Sequence, residues 1–320
     1  DEAIVAPTVT IAGQSATVSG SGTSYTAAYT VQASQVTSLD GKAAGVSVVF
    51  ADIAGNSGTP VTSLTGGGTV TIDLTPPTLP SVTIASDNGA DTTRANAGDT
   101  ITLTIVASEA IKTPTVTIAR KAATVSGSGS SYTAAYTVVA GDDTGRVSLT
   151  VAFADIAGNV GTTLTSTTSS TSRVDIDLTA PTLSSVQIAS SNAASSVRAN
   201  VGDTITVTFA ANEPITSPTV AIAGRTATVT DAGDTDPSTF TASYVIVASE
   251  VSEGTASISI AFRDLASNPG VTVTSVTDAS AVTIDLTAPT LTTVTMSSDN
   301  AGYASRANTG DKITVVIKSN

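Results

Sequence analysis

"VTIDLTPPTL" occupies residues 70–79, and it returns as "VDIDLTAPTL" at 174–183 and "VTIDLTAPTL" at 282–291. The aspartate before each Leu-Thr falls at Asp73, Asp177 and Asp285, so the spacings are 104 and 108 residues. "RANAGDTIT" at 94–102 recurs as "RANVGDTIT" at 198–206 and "RANTGDKIT" at 306–314, again 104 and 108 apart. "FADIAGN" at 50–56 comes back from Phe153, and from Phe262 as "FRDLASN". A period of about 105 residues is too long for one turn of a solenoid and matches one compact domain. The chain is therefore a tandem array of domains.

Between these motifs the sequence reads as short strands. In the best-defined copy they are expected at 81–86, 100–108, 113–119, 122–127, 131–139, 146–154 and 172–178. Most alternate an apolar residue with Thr or Ser, as a half-buried antiparallel sheet requires. Ile101, Leu103 and Ile105 share one parity, as do Val147, Leu149, Val151 and Phe153, and as do Tyr132, Ala134, Tyr136 and Val138. Gly, Asn, Asp and Pro fill the connections, where turns select them. Seven strands in about 100 residues predict an all-β fold of tandem immunoglobulin-like β-sandwich domains. The Cys–Trp–Cys pattern of antibody domains is absent, because the chain has no Cys and no Trp.

The set "DLTAPTL", "SDN", "RAN.GDTIT", "SEAI", "PTVTIAG", "SYTAAYTV" and "FADIAGN" resembles the bacterial Ig-like repeats of giant extracellular adhesins and surface fibre proteins. The resemblance covers essentially all 320 residues. It implies an extracellular or cell-surface stalk module, often stiffened by calcium between domains, and it says little about what a given stalk binds.

Composition narrows the chemistry. With 13 basic and 26 acidic residues the net charge is −13, which argues against nucleic acid and anionic membrane surfaces. No run of 18 apolar residues occurs, so no membrane insertion is expected. The absence of Cys and His removes thiolate and imidazole ligands and the Ser–His–Asp and Cys–His catalytic arrangements. Acids that recur identically in every copy suit a structural role better than an active site, so an enzyme is not expected. The "SGSGTS" and "SGSGSS" stretches join two strands and lack the helix N-terminus a phosphate loop uses.

Strand polarity places three acids of neighbouring elements at one pole. Asp73 in the linker, Glu109 after the second strand and Asp155 in the loop after the sixth are expected to meet. Asp177, Glu213 and Asp264 repeat the arrangement, and Asp285 would meet Glu2 and Asp52 of a further copy. Three such carboxylates repel unless a cation joins them or water solvates them. Calcium takes six to eight oxygen ligands and fits the first case. In the second, Asp155 and Asn159 merely shape a turn. For Asn88, Asn96 and Asp99 of the "RAN.GD" loop, side-chain-to-backbone bonding within a turn is expected.

The two ends share a register. "DEAIVAPTVTIA" at 1–12 matches "SEAIKTPTVTIA" at 108–119, and aligning Asp311 with Asp99 puts Asn320 on Ser108. The expected domains are residues 1–73 (strands three to seven only), 74–177, 178–285, and 286–320 (strands one and two, completed by residues 1–73 of the next copy). Head-to-tail copies then fit either separate subunits exchanging strands or one window of a longer chain. The missing initiator Met and the in-register ends favour the longer chain. The competing function is a module that binds a glycan or a protein through its loops. The longest departure between copies, "TDAGDTDPSTF" at 230–240, is the place to look for it.

Overall fold

The computed structural model describes residues 2–231, 233 and 238–320. Residues 232 and 234–237 of the divergent loop at 230–240 therefore lie outside the described residues. Two compact units divide at Leu178 and Thr179, and each is described by itself.

In the first unit, residues 81–176 form a two-sheet sandwich. One sheet has the order Thr124–Ser128, Ser131–Thr137, Thr100–Val106, Ser81–Ser86, all antiparallel. The facing sheet runs Lys121–Ala122, Thr115–Ile118, Leu149–Ala152. Its outer edge is closed by the bridges Val151 to Leu164 and Ala154 to Val160. In chain order this is a first sheet of strands A, B, E and D against a second of C, F and G, the connectivity of a constant-type immunoglobulin sandwich. The fold expectation holds on pairing alone.

Alternation explains the packing. Ile101, Leu103 and Ile105 are fully buried while Thr104 between them faces water. Val116, Ile118, Leu149 and Val151 meet them from the other sheet, joined by Tyr132 and Ala134. The exposed edge of Ser81–Ser86 is covered by the Thr/Ser-rich segment that follows the bridges. Val82 N donates to Thr168 Oγ1 at 2.9 Å and Thr168 N returns a bond to Val82 O at 3.0 Å. That pairing blunts an edge that would otherwise template another strand.

Three strands differ from expectation. Residues 122–127 split into Lys121–Ala122 on one sheet and Thr124–Ser128 on the other, 146–154 split into Gly145–Arg146 and Leu149–Ala152, and the seventh departs furthest. Residues 172–178 do not form a full seventh strand. Only Asp175–Ile176 pairs, in parallel with Arg94–Ala95 on one side and antiparallel with Gly145–Arg146 on the other, and Val174 and Ile176 join the buried core. The G position is taken by residues 160–164, whose two bridges sit among Gly and Thr and leave no alternating signal.

The same unit holds residues 2–73, organised as half a sandwich. Thr8–Ile11 pairs with Gln14–Ser15 and Val46–Val49, and Thr17–Ser21 pairs with Ser24–Ala28. A short 3₁₀ turn at Ala33–Gln35 runs into one α-helical turn at Val36–Leu39. No strand pairs with the second edge of Ser24–Ala28 among the described residues.

In the second unit, residues 183–284 rebuild the sandwich. The sheets are Thr228–Asp231, Thr239–Val245, Thr204–Ala211, Leu183–Ser190 and Arg225–Thr226, Ile215–Ile222, Ile258–Asp264. Phe209 stacks on Phe240 with ring centroids 5.6 Å apart. After this domain, Leu291–Ser298 and Ile313–Ser319 form a hairpin, a two-stranded sheet among the described residues. Among the described residues no helix is long and apolar enough to cross a membrane.

Candidate metal centre at the linker

The loop after strand F is built around a buried aspartate. Asp155 is 1% exposed and accepts at Oδ1 from Gly158 N (2.6 Å) and Asn159 N (2.8 Å). Asn159 Nδ2 donates to its Oδ2 at 2.7 Å. The same amide reaches the linker, donating to Asp73 O at 3.0 Å and Asp73 Oδ1 at 3.3 Å. The "D-x-A-G-N" loop thus closes a turn and anchors the linker with one side chain. Glu109 is delivered by the strand B exit, where Ser108 N donates to Thr78 O (2.9 Å) and Ser108 Oγ accepts from Thr78 N (3.0 Å).

As expected, Asp73, Glu109 and Asp155 come together, with carboxylate oxygens within 4.8 Å of one another. Burial is the largest influence on Asp155 and pushes its carboxyl upward. The bonds from Asn159 and Gly158 outweigh it and hold the group below the usual carboxylate range. Glu109 moves the other way, raised by burial first and then by the negative charges of Asp73, Asp155 and Asp40. Among the described residues, no Lys or Arg forms an ion pair with any of the three. The donor set is oxygen only, which suits a hard cation.

The remaining expected ligands stand as follows. Asp52 repeats the Asp155 loop, accepting from Asn56 N at 2.7 Å and Asn56 Nδ2 at 2.6 Å. The Asn56 side chain is the chief cause of its lowered pKa. Ile4 bridges to Asp52 as Ile111 bridges to Asp155, and Glu2, two residues before Ile4, is exposed. Asp177 is half-buried at the end of the first unit. In the second unit Glu213 is half-buried, and Asp264 is 1% exposed and accepts from Asn268 N and Nδ2, both at 2.8 Å. Asp285 is exposed, accepts from Thr287 N at 3.2 Å, and has Arg198 at 3.9 Å.

Two linker-holding acids escaped the sequence reading. Asp40 accepts from Leu74 N (2.6 Å) and from the Thr75 hydroxyl, and the Thr75 bond leads the causes that lower its pKa. Glu253 does the same for Leu286 N (2.8 Å) and Thr287 Oγ1 (2.6 Å). Their only sequence signal is a position 34 or 33 residues before the linker Leu, disguised by the change from Asp to Glu. The "RAN.GD" loops form turns as expected. The Asp99 carboxylate accepts from Asn96 N at 2.8 Å, Asp203 from Asn200 N at 2.8 Å and Asp311 from Asn308 N at 2.7 Å, and the side-chain amides of Asn88, Asn192 and Asn300 donate to the same three carboxylates.

No protein-family profile matches the chain, and no curated protein matches it. Among solved structures it is similar to the I9-I11 tandem from titin, at 9% identity over 89% of each chain with a TM-score of 0.32. It is also similar to Rst D1-D2, at 12% identity over 67% of this chain and 100% of that one, TM-score 0.28. A third is the Bacteroides ovatus mixed-linkage glucan utilization locus protein SGBP-B in complex with a mixed-linkage heptasaccharide. There the identity is 14% over 92% of this chain and 66% of that one, TM-score 0.19.

Proposed function

We propose that this chain is a non-catalytic structural segment of an extracellular stalk or surface fibre, built of immunoglobulin-like domains following one another head to tail. Calcium bound by Asp73, Glu109 and Asp155 stiffens the linker, with Asp177, Glu213 and Asp264, and Asp285 with Glu2 and Asp52 of a further copy, serving the same end at the other junctions. The observation that carries this reading is the unneutralised carboxylate trio where Asn159 already fastens Asp73 to the sandwich. A cation there would convert a tether into a rigid joint, because its ligands come from the linker and from two loops of the domain.

Small-angle scattering during a calcium titration tests it. Chelation should leave the β-sheet circular dichroism unchanged while the mean end-to-end distance shortens. A scattering profile indifferent to calcium removes the stiffening role. Selective retention on a glycan array would instead promote the loop-binding function.

A further inference from the structure

Two arginines of the first complete domain stand over one groove. Buried Leu149 and Val174 form its floor, Thr165 and Ser166 one wall, and exposed Arg146 and Arg173 its rim, around a volume of about 230 Å³. All of it belongs to residues 81–176, a sandwich complete on both sheets. The wall is held in place. Thr167 Oγ1 donates to Ser169 O and Ser172 O, both at 2.8 Å. Ser172 Oγ accepts from Ile84 N at 2.7 Å and donates to Ile84 O at 3.1 Å. The hydroxyls of Thr165 and Ser166 have no partner among the described residues.

Neither guanidinium is committed elsewhere. Arg173 Nε lies 3.8 Å from Asp175 Oδ2, beyond hydrogen-bond length, and the pair is exposed. Arg146 has no ion pair or hydrogen bond from its side chain among the described residues. Asp175 lies directly across the sheet from Arg146, so one positive charge is left over at the rim. The other copies keep the frame and drop these charges. At the matching positions Arg146 gives way to Ala43 and Thr255, Arg173 to Thr69 and Ala281, and Asp175 to Thr71 and Thr283. The wall itself survives: Ser280 Oγ accepts from Ile188 N as Ser172 Oγ does from Ile84 N, and Thr277 serves Val186 as Thr168 serves Val82. Folding therefore does not call for the two arginines.

We infer that this groove binds an acidic sugar residue of a glycan, with Arg146 and Arg173 taking its carboxylate or sulfate group. A guanidinium offers paired donors that match either anion. The apolar floor accepts the C–H face of a sugar ring, and the free Thr165 and Ser166 hydroxyls accept its hydroxyl groups. The groove is smaller than the about 300–1,000 Å³ of a drug-sized site, the scale of a single ring. Arg146 and Val147 also line an adjoining hollow of about 130 Å³, which gives the next sugar a place. A net charge of −13 repels a densely charged polymer such as a nucleic acid, whereas a sparsely charged glycan meets only the local arginines. The site goes beyond the stalk role and uses none of the junction acids.

Titration of the ¹⁵N-labelled full-length chain with glucuronate, glucose 6-sulfate, glucose and acetate tests it. A chelator is present throughout, so that no calcium-bridged sugar contributes. Amide signals of residues 146–149 and 165–174 should move with one or both acidic sugars, and the preferred one identifies the anion. Glucose and acetate should bind at least about tenfold more weakly, each lacking half of the recognition. Arg146→Gln with Arg173→Gln should weaken the acidic sugar at least about tenfold while distant signals keep their positions. Lys121→Gln with Arg263→Gln removes the same charge elsewhere and should leave the affinity unchanged. Acetate bound as tightly as the sugars overturns the sugar. Equal losses in the two double variants, or shifts scattered over the chain, overturn the groove. No shift at about 100 mM sugar, a hundredfold above a millimolar Kd, overturns both.

Discussion

Replacing Gly161 by Ala isolates one packing constraint of the sandwich. A β-carbon at Gly161 would lie 2.2 Å from Phe153 Cε2 and 2.4 Å from its Cζ. Carbon atoms normally sit at about 3.5–4.0 Å, so the overlap exceeds about 1 Å. Phe153 is buried and Gly161 N donates to Phe153 O at 3.0 Å, so neither ring nor backbone is free to retreat. Overpacking of this kind costs about 1–3 kcal/mol. At about 2 kcal/mol the unfolded fraction of this domain rises by roughly 30-fold. Hydrogen exchange on the full chain reads it directly: amides of Leu149–Ala152 should lose about that factor of protection, while those of Thr204–Ala211 keep theirs. Phe153→Leu alone also weakens the core, yet the double substitution should recover more than about 0.5 kcal/mol relative to the sum of the singles. A neutral Gly161→Ala, or strict additivity, refutes the clash. The geometry recurs at Gly58 with Phe50 and Gly270 with Phe262, each at 2.2 Å, so the outcome should transfer to Gly270→Ala.

Tyr136→Phe should cost about 1–3 kcal/mol, because the phenol donates to the Asp142 carboxylate, at 2.7–2.8 Å, and the acid is buried. Burial, then the Asp142 bond, raises that phenol to about 12, so its stabilising share is complete below about pH 10 and disappears as pH climbs through about 12. Ultraviolet titration in which every tyrosine ionises near pH 10 would contradict this. Arg120→Gly should stabilise by about 0.5 kcal/mol in thermal melts. Arg120 occupies φ +63°, where the other two copies carry Gly13 and Gly224, and relief of about 1–2 kcal/mol outweighs an exposed Asp143 ion pair worth under about 1 kcal/mol. A destabilised variant would reverse that ranking. Asp73→Asn keeps an oxygen to accept from Thr75 N and Asn159 Nδ2 while removing a charge that raises Glu109. It should leave the metal-free fold intact and weaken calcium binding at least about tenfold by calorimetry; unchanged affinity would detach Asp73 from the site.

What the sequence disclosed follows from where physics leaves a periodic trace. The buried rows at Ile101, Leu103, Ile105 and at Tyr132, Ala134 were readable because a pleated strand enforces a two-residue period and Thr is a good outward partner. The G position at 160–164 was not, since two isolated bridges demand only a backbone and need no alternation. The helical turn at Val36–Leu39 was hidden too. It buries a single residue, Leu39, and one buried side chain carries no period.

The junction acids divide along the same line. Asp73 and Asp155 were legible because each must be an aspartate of fixed reach: Asp155 closes its own loop at 2.6–2.8 Å, and a longer Glu would displace those bonds. Asp40 and Glu253 were illegible because an acid reaching a linker amide from a distant loop can be either length, provided its own backbone is set accordingly. Turn formation and metal binding are therefore not competing explanations of the "D-x-A-G-N" loop. The amide of Asn159 satisfies Asp155 at one hydrogen and Asp73 at the other, so the turn is what carries two of the three carboxylates to one point. Only the third, Glu109, takes no part in the Asp155 turn; burial first, and then the neighbouring carboxylates, raise its pKa.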